Sequence, residues 1–369
     1  MYIPDMPPAM FLRAKLLPPR PAPSLLPRPR LVERLLANLS NPVTLVTANA
    51  GSGKTTLVAD FVRSHAESFV WYQLDANDAD PAVFLGYLAS GIRQVSPSTG
   101  EATLTYIQQS AAEFVFEPER AVDVLLNEML DGIDRHLILV LDDYHHLGPD
   151  AEVHATVDRL LAYLPDAVHA IVISRDTPPL SMARMRANAT LGVIDRDDLL
   201  FTSDETRELF RTVFGLELTS GQLAEYGERT HGWITALQLV RQVAQRRSPD
   251  AGADLGDVLR KSEHDIFEYF AEEVFAAESL EAQRLLVHVA LLERIELDTC
   301  AELFPDLACS RQLPSLVRRN VFLTTAGDSD AVEYRLHPLF RAFLGRRARL
   351  EFGSTGLAAE HARFAEYYA

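Results

Sequence analysis

A chain of 369 residues that is 47% hydrophobic and 24% charged has the make-up of an ordinary globule, with length for two or three domains. A formal charge of −17 disfavours direct, non-specific DNA binding and an anionic membrane surface, both of which need a basic face. No run of about 18 apolar residues marks a membrane span. The start "MYIPDMPPAMF" lacks the grammar of a signal peptide, and Cys300 and Cys309 are spaced unlike a zinc site or a redox pair. A cytoplasmic protein with reduced thiols is expected.

Nine of the 21 prolines fall before position 30, so residues 1–29 are expected to run as an extended arm. Pro29 then suits a first helical turn, and Leu31, Val32, Leu35, Leu36 and Leu39 recur at helical spacing. An arm placed here can lie against a nucleotide base, with Arg28 and Leu31 as candidates, or simply pack.

The stretch "NPVTLVTANAGSGKTTLVADFV" carries the strongest signal in the chain. A β-branched run, Val43 to Thr47, leads into a small-residue turn and then a helical pattern. Ala50, Gly51, Ser52, Gly53, Lys54, Thr55 and Thr56 read as a phosphate-binding loop. Its backbone N–H groups and the positive helix end wrap a polyphosphate, Lys54 reaches the β- and γ-phosphates, and the Thr55 hydroxyl ligates Mg²⁺. Ala48 stands where the strict pattern has glycine and is expected in the β-region, ending the strand.

"FVWYQLD" reads as a second buried strand, and Asp80 and Pro81 open a helix with Phe84, Leu85, Leu88 and Ile92 on one face. Between Ser96 and Glu119 the periodicity is weak and fixes no element. A helix is expected from about Arg120 to Ile133. "HLILVLDDYHHL" follows: Leu137 to Leu141 make a strand buried on both faces, ending in Asp142 and Asp143. The first acid is expected to hold Mg²⁺ and the second to orient or deprotonate an attacking water, on a strand tip adjoining the loop. No further ligand of suitable spacing accompanies His145 and His146, so packing or hydrogen bonding is their expected role. Val168 to Ser174 is the next strand. Arg175 at its tip is a candidate γ-phosphate sensor, against the alternative of an ion pair with Asp176 or Asp143. With the short strand in "LGVIDRDD", the β, α, β order to about residue 200 predicts an α/β doubly wound parallel sheet.

Beyond Phe201 the pattern turns helical. Thr202 with Glu205 and Thr219 with Gln222 read as capping boxes, and Gly232 and Trp233 interrupt a helical run. Arg246 to Asp257 reads as a linker. Further helices follow from Asp265. Strand-like Val321 to Thr325, a turn at Gly327 and Asp328, and strand-like Val332 to Leu336 then suggest a winged helix, with His337 just after the hairpin. The expected organisation is an arm (1–29), a nucleotide-binding domain (30–201), a helical domain (202–257), a winged-helix domain (258–350) and the start of a helical arm (351–369).

"ANAGSGKTT", "LVLDDYHHL", "ISRDTPPL", "HGWITALQL" and "YRLHPLFRAFL" stand in the order seen in STAND-class P-loop ATPases. Over about residues 10–350 the chain resembles the N-terminal ATPase module of the large ATP-dependent LuxR-type transcriptional regulators, of the maltose-regulon activator type. The resemblance implies a nucleotide-driven switch with ATP or ADP and Mg²⁺, closed with ADP and self-associating with ATP plus inducer. It implies slow hydrolysis, and a histidine, here His337, on the β-phosphate of ADP. The inducer is then met by a sensor region, and DNA by a C-terminal domain, both outside this chain. The block Gly232 to Ile234 corresponds to one that lines the base in related switches, which often carry proline where Ile234 stands. A metabolic ATPase or small-molecule kinase is the rival reading. The chain shows no basic lid for it.

Overall fold

Strand β3, Leu137–Asp142, is buried along its whole length, and its side chains separate by parity. Leu137, Leu139 and Leu141 enter one apolar cluster, while Ile138 and Val140 enter another. The same alternation holds in β1 (Val43–Thr47), β2 (Ser68–Gln73) and β4 (Val168–Ser174). Val43, Leu45, Val70, Tyr72, Val168, Ala170 and Val172 face the first cluster, and Val46, Trp71, Ile171 and Ile173 the second. A period of two with both faces apolar makes a parallel sheet covered by helices on each side. With β5 (Leu191–Ile194) the sheet has the order β2-β3-β4-β1-β5, and every pairing is parallel. Strand β4 therefore lies between β1 and β3. The expectation that the acidic strand adjoins the phosphate-loop strand is corrected: they are one strand apart.

On one face α1 (Pro29–Asn38) and α2 (Lys54–His65) supply Leu31, Leu35, Val58, Phe61 and Val62. On the other lie α3 (Pro81–Val95), α5 (Pro118–Gly132) and α6 (Val153–Ala162). Each fully buried Leu, Val or Phe contributes about 1.5–3 kcal/mol. The stretch of weak periodicity contains α4, Glu101–Glu113. Its first turn is capped from α5, where the Glu128 carboxylate accepts from the N–H groups of Gly100, Ala102 and Thr103 and from the Thr103 hydroxyl.

The computed structural model describes residues 12–20, 25–113, 116–149, 151–245, 264–292, 294–326 and 332–368. The expected linker at Arg246 to Asp257, the turn at Gly327 and Asp328, and much of the arm lie outside the described residues. In the described part of the arm, Arg13–Leu16 form one 3-10 turn rather than extended chain. No proline falls between Pro8 and Pro18, so nothing forbids it. Lys15 holds this turn to the end of β2, with its ammonium 2.8 Å from Asp75 and 2.7 Å from the fully buried Asp78.

The chain divides into two compact units, residues 1–48 with 53–199, and residues 49–52 with 200–369. In the second, both expected capping boxes form, Thr202 with Glu205 opening a short helix and Thr219 with Gln222 opening Ser220–Thr230. Gly232 has φ +71°, and a Cβ there would lie 2.3 Å from the Phe201 carbonyl oxygen. Only glycine fits that corner. Leu323–Ala326 and Glu333–Leu336 pair as an antiparallel hairpin, with Ile295–Glu296 as a third strand. The core is aromatic: Phe270 meets Trp233, Phe322 and Phe340 with ring centroids 4.9–5.2 Å apart.

Among the described residues, no helix is long and apolar enough to cross a membrane.

Candidate functional site

The first unit gathers its chemistry at the carboxyl ends of β1, β3 and β4. After β1 the chain turns with positive φ at Gly51 and Gly53, while Ala48 is not among the positive-φ residues. Helix α2 begins at Lys54 with Gly53 as its N-cap, so the positive end of its dipole faces the turn. The Lys54 side chain is 7% exposed and donates to the Ala48 carbonyl at 2.7 Å. Burial, then the Arg175 charge, pull its ammonium down to about 8. It still carries its proton at neutral pH. Thr55 is half-buried and Thr56 exposed.

Asp142 closes β3 and is fully buried. Its Oδ1 accepts from the Thr55 hydroxyl and from the Asp143 N–H, each at 3.0 Å. Its Oδ2 is buried without a hydrogen-bond partner among the described residues. Burial, then the neighbouring Asp143 charge, push this carboxyl up to about 7. A carboxylate in that position is costly unless it pairs with a cation or ligates a metal. An oxygen-only pair of ligands, Thr55 and Asp142, beside a phosphate loop fits Mg²⁺. Asp143 adopts the left-handed conformation, φ 59°, and its Oδ2 accepts from Gln73 Nε2 at 3.3 Å. Arg175 follows β4 directly, and its charge is felt at Lys54. The neighbouring Asp176 accepts from the Ser174 hydroxyl at 2.9 Å.

The two residues offered for the base, Arg28 in the arm and Leu31 in α1, both meet the segment at Leu199. Arg28 is 9% exposed and donates to the Leu199 carbonyl at 2.9 Å, and Leu31 is fully buried in the cluster with Leu199.

In the turn after Asp143, His145 is packed in, the first of the two roles expected for it. His145 makes no hydrogen bond at either ring nitrogen among the described residues, although both atoms are buried. Burial, then the His146 charge, drive its pKa down to about 3, so the ring is neutral. Asp143 also brings a carboxylate beside both histidines, a ligand that the spacing did not announce.

The second unit includes the loop tip itself. The Trp233 indole N–H donates to the Ala50 carbonyl at 3.2 Å, and the Thr235 hydroxyl to the Gly51 carbonyl at 2.8 Å. A Cβ on Gly51 would lie 2.3 Å from Thr235 Oγ1 and 2.8 Å from the Tyr269 hydroxyl. Ser52 is buried. Within the block Gly232 to Ile234, which the resemblance set beside the base, Trp233 meets the loop backbone. Thr235 carried no signal at all, because an isolated hydroxyl in a helical pattern announces nothing. His337 Nε2 stands 3.2 Å from the Thr230 carbonyl, its backbone N–H donates to Phe322, and its ring lies 5.2 Å from that of His231. The structure thus unites Lys54, Thr55, Asp142, Asp143 and Arg175 in one unit, and places His337 in the other with Ala50, Gly51 and Ser52.

Comparison with known proteins agrees with this architecture. Residues 271–355 match the MalT winged helix domain family. The chain is 28% identical over 338 residues to the HTH-type transcriptional regulator MalT of Cronobacter sakazakii, covering 90% of this chain. It is 27% identical over 345 residues to MalT of Serratia proteamaculans, covering 93%. It spans 37% of the length of each of these relatives. Among solved structures, a Walker-type ATPase of Pyrococcus abyssi superposes with a TM-score of 0.60 at 16% identity, covering 88% of this chain and 98% of that one. The fold is that of a P-loop ATPase followed by helical and winged-helix parts.

Proposed function

We propose that this chain is the nucleotide-responsive module of a transcriptional regulator of the MalT kind, binding ATP or ADP with Mg²⁺ and hydrolysing ATP slowly. The observation that carries the reading is the buried Asp142 carboxylate, with one oxygen on Thr55 and the other without a partner among the described residues, in the field of the Lys54 ammonium. Lys54 and the N–H groups of the Ala50 to Thr56 turn would hold the phosphates, and Arg175 would meet the γ-phosphate. Thr55 and Asp142 would hold Mg²⁺, whose charge offsets that developing on the phosphate oxygens. Asp143 would orient or deprotonate the attacking water.

In this reading His337 meets the β-phosphate of ADP and favours a closed form. ATP with an inducer favours an open, self-associating one. Reversing a 1:99 population takes about 5.5 kcal/mol of differential binding, so nucleotide and inducer would both contribute. The ties from Trp233 and Thr235 to the Ala50 and Gly51 carbonyls support a switch, since a loop that rearranges around phosphate must disturb them.

The test is a nucleotide titration of Lys54→Ala. Removing a charge-assisted contact worth about 2–3 kcal/mol is expected to weaken ATP binding about 100-fold. Unchanged affinity would overturn the assignment.

A further inference from the structure

We propose that Asp143, His145 and His146 form a site for a zinc-class divalent ion, separate from the Mg²⁺ position at Thr55 and Asp142. One ligand atom from each of the three residues lies within 4.8 Å of those of the other two. All three sit on a single tight turn, with Asp143 in the left-handed conformation and Tyr144–Leu147 forming a 3-10 helix. The two imidazoles face each other with centroids 4.2 Å apart.

His145 supplies the independent observation. Buried polar groups are nearly always satisfied, and this ring has neither nitrogen hydrogen-bonded among the described residues. A neutral imidazole offers one lone pair, which a metal ion takes. Asp143 has one oxygen engaged by Gln73, leaving the other for a metal. His146 is exposed and can swing in from solvent. Two imidazoles and a carboxylate with an open fourth position are a zinc-type ligand set. Magnesium, which prefers oxygen and keeps its waters, is a poor competitor for imidazole.

Zinc held here engages Asp143, the residue proposed above to act on the attacking water. Its binding therefore stops hydrolysis while leaving the phosphate loop free to hold nucleotide. That consequence rests on the proposed function; the metal site itself does not.

The test begins with nucleotide-free, chelator-treated protein titrated with Co²⁺ and then Zn²⁺. One equivalent of Co²⁺ is expected to give visible absorption bands that Zn²⁺ abolishes and a large excess of Mg²⁺ does not. His146→Gln, at an exposed position, is expected to weaken Zn²⁺ binding at least about 10-fold, since even an outer-shell partner costs that much when lost. His145→Gln is expected to do the same. Equal Zn²⁺ affinity in His146→Gln and the parent protein, or binding that Mg²⁺ displaces, would overturn the site. In the hydrolysis assay Zn²⁺ is expected to suppress phosphate release without changing nucleotide affinity, and His146→Gln to remove that suppression. Absent nucleotide binding with normal Zn²⁺ binding would sink the proposed function and spare the metal site.

Discussion

The two units bury different things. Among the described residues, the buried Arg28, Lys54, Asp78, Asp142, His154 and His169 belong to the first unit, while in the second the Glu278 side chain, 7% exposed, is paired with Arg319. The second buries neutral Asn49, Ser52, Thr206, Thr230, Thr299 and Gln312, and its core is built on rings. Burying a charge costs stability unless it is paired or ligated. The first unit therefore holds Lys54 and Asp142 poised for a ligand, while the second, which also carries the loop tip and His337, is held mainly by groups that pack.

The largest expected effect tests the chemical side. Asp143→Asn should lower the rate of ATP hydrolysis by about 10²–10⁴-fold, the range for a lost general base, with nucleotide still bound. Single-turnover phosphate release measures it, and an unchanged rate would remove Asp143 from the mechanism. On the packing side, Phe270→Ala should destabilise the second unit by about 3–5 kcal/mol in urea unfolding, because it empties the centre of the ring cluster. Nucleotide titration of the folded variant then tells whether that core also supports the phosphate loop.

A pH series separates the units further. His169 is buried in β4, its Nδ1 donating to the Asn41 carbonyl at 2.6 Å and its Nε2 accepting from the Thr44 hydroxyl at 3.0 Å. That arrangement suits the neutral ring, and burial lowers its pKa to about 4. Below pH 6.5 the unfolded chain takes a proton that the folded one refuses until about pH 4, so stability falls as pH drops through that window. The loss amounts to about 3 kcal/mol, from about 2.5 units at 1.36 kcal/mol each. His145 adds to it in the same sense. His169→Gln should flatten the acid limb of a urea-midpoint curve; an identical slope would show that the ring titrates normally. Smallest, Glu128→Ala should cost about 1–2 kcal/mol by uncapping α4, seen as faster amide exchange at Gly100, Ala102 and Thr103.

The unbroken apolar run Leu137 to Leu141 announced a strand buried on both faces, and the structure distributes those residues between two clusters as a covered parallel sheet requires. Both capping boxes were legible because each closes over three residues. By contrast, Ile295–Glu296 gave no signal, since a two-residue strand has no periodicity and exists only because Glu333–Leu336 offers an edge.

The sequence by itself determined whatever depends on neighbours along the chain: strand alternation, helix starts, and a glycine turn that frees amides before Lys54. Tertiary structure alone decided what depends on residues distant in sequence. It inserted β4 between β1 and β3, gave α4 its cap from Glu128, and set Trp233 on the Ala50 carbonyl. Local torsional and hydrophobic preferences are written in a few consecutive residues, whereas strand order and shared hydrogen bonds are settled by which folded surfaces meet.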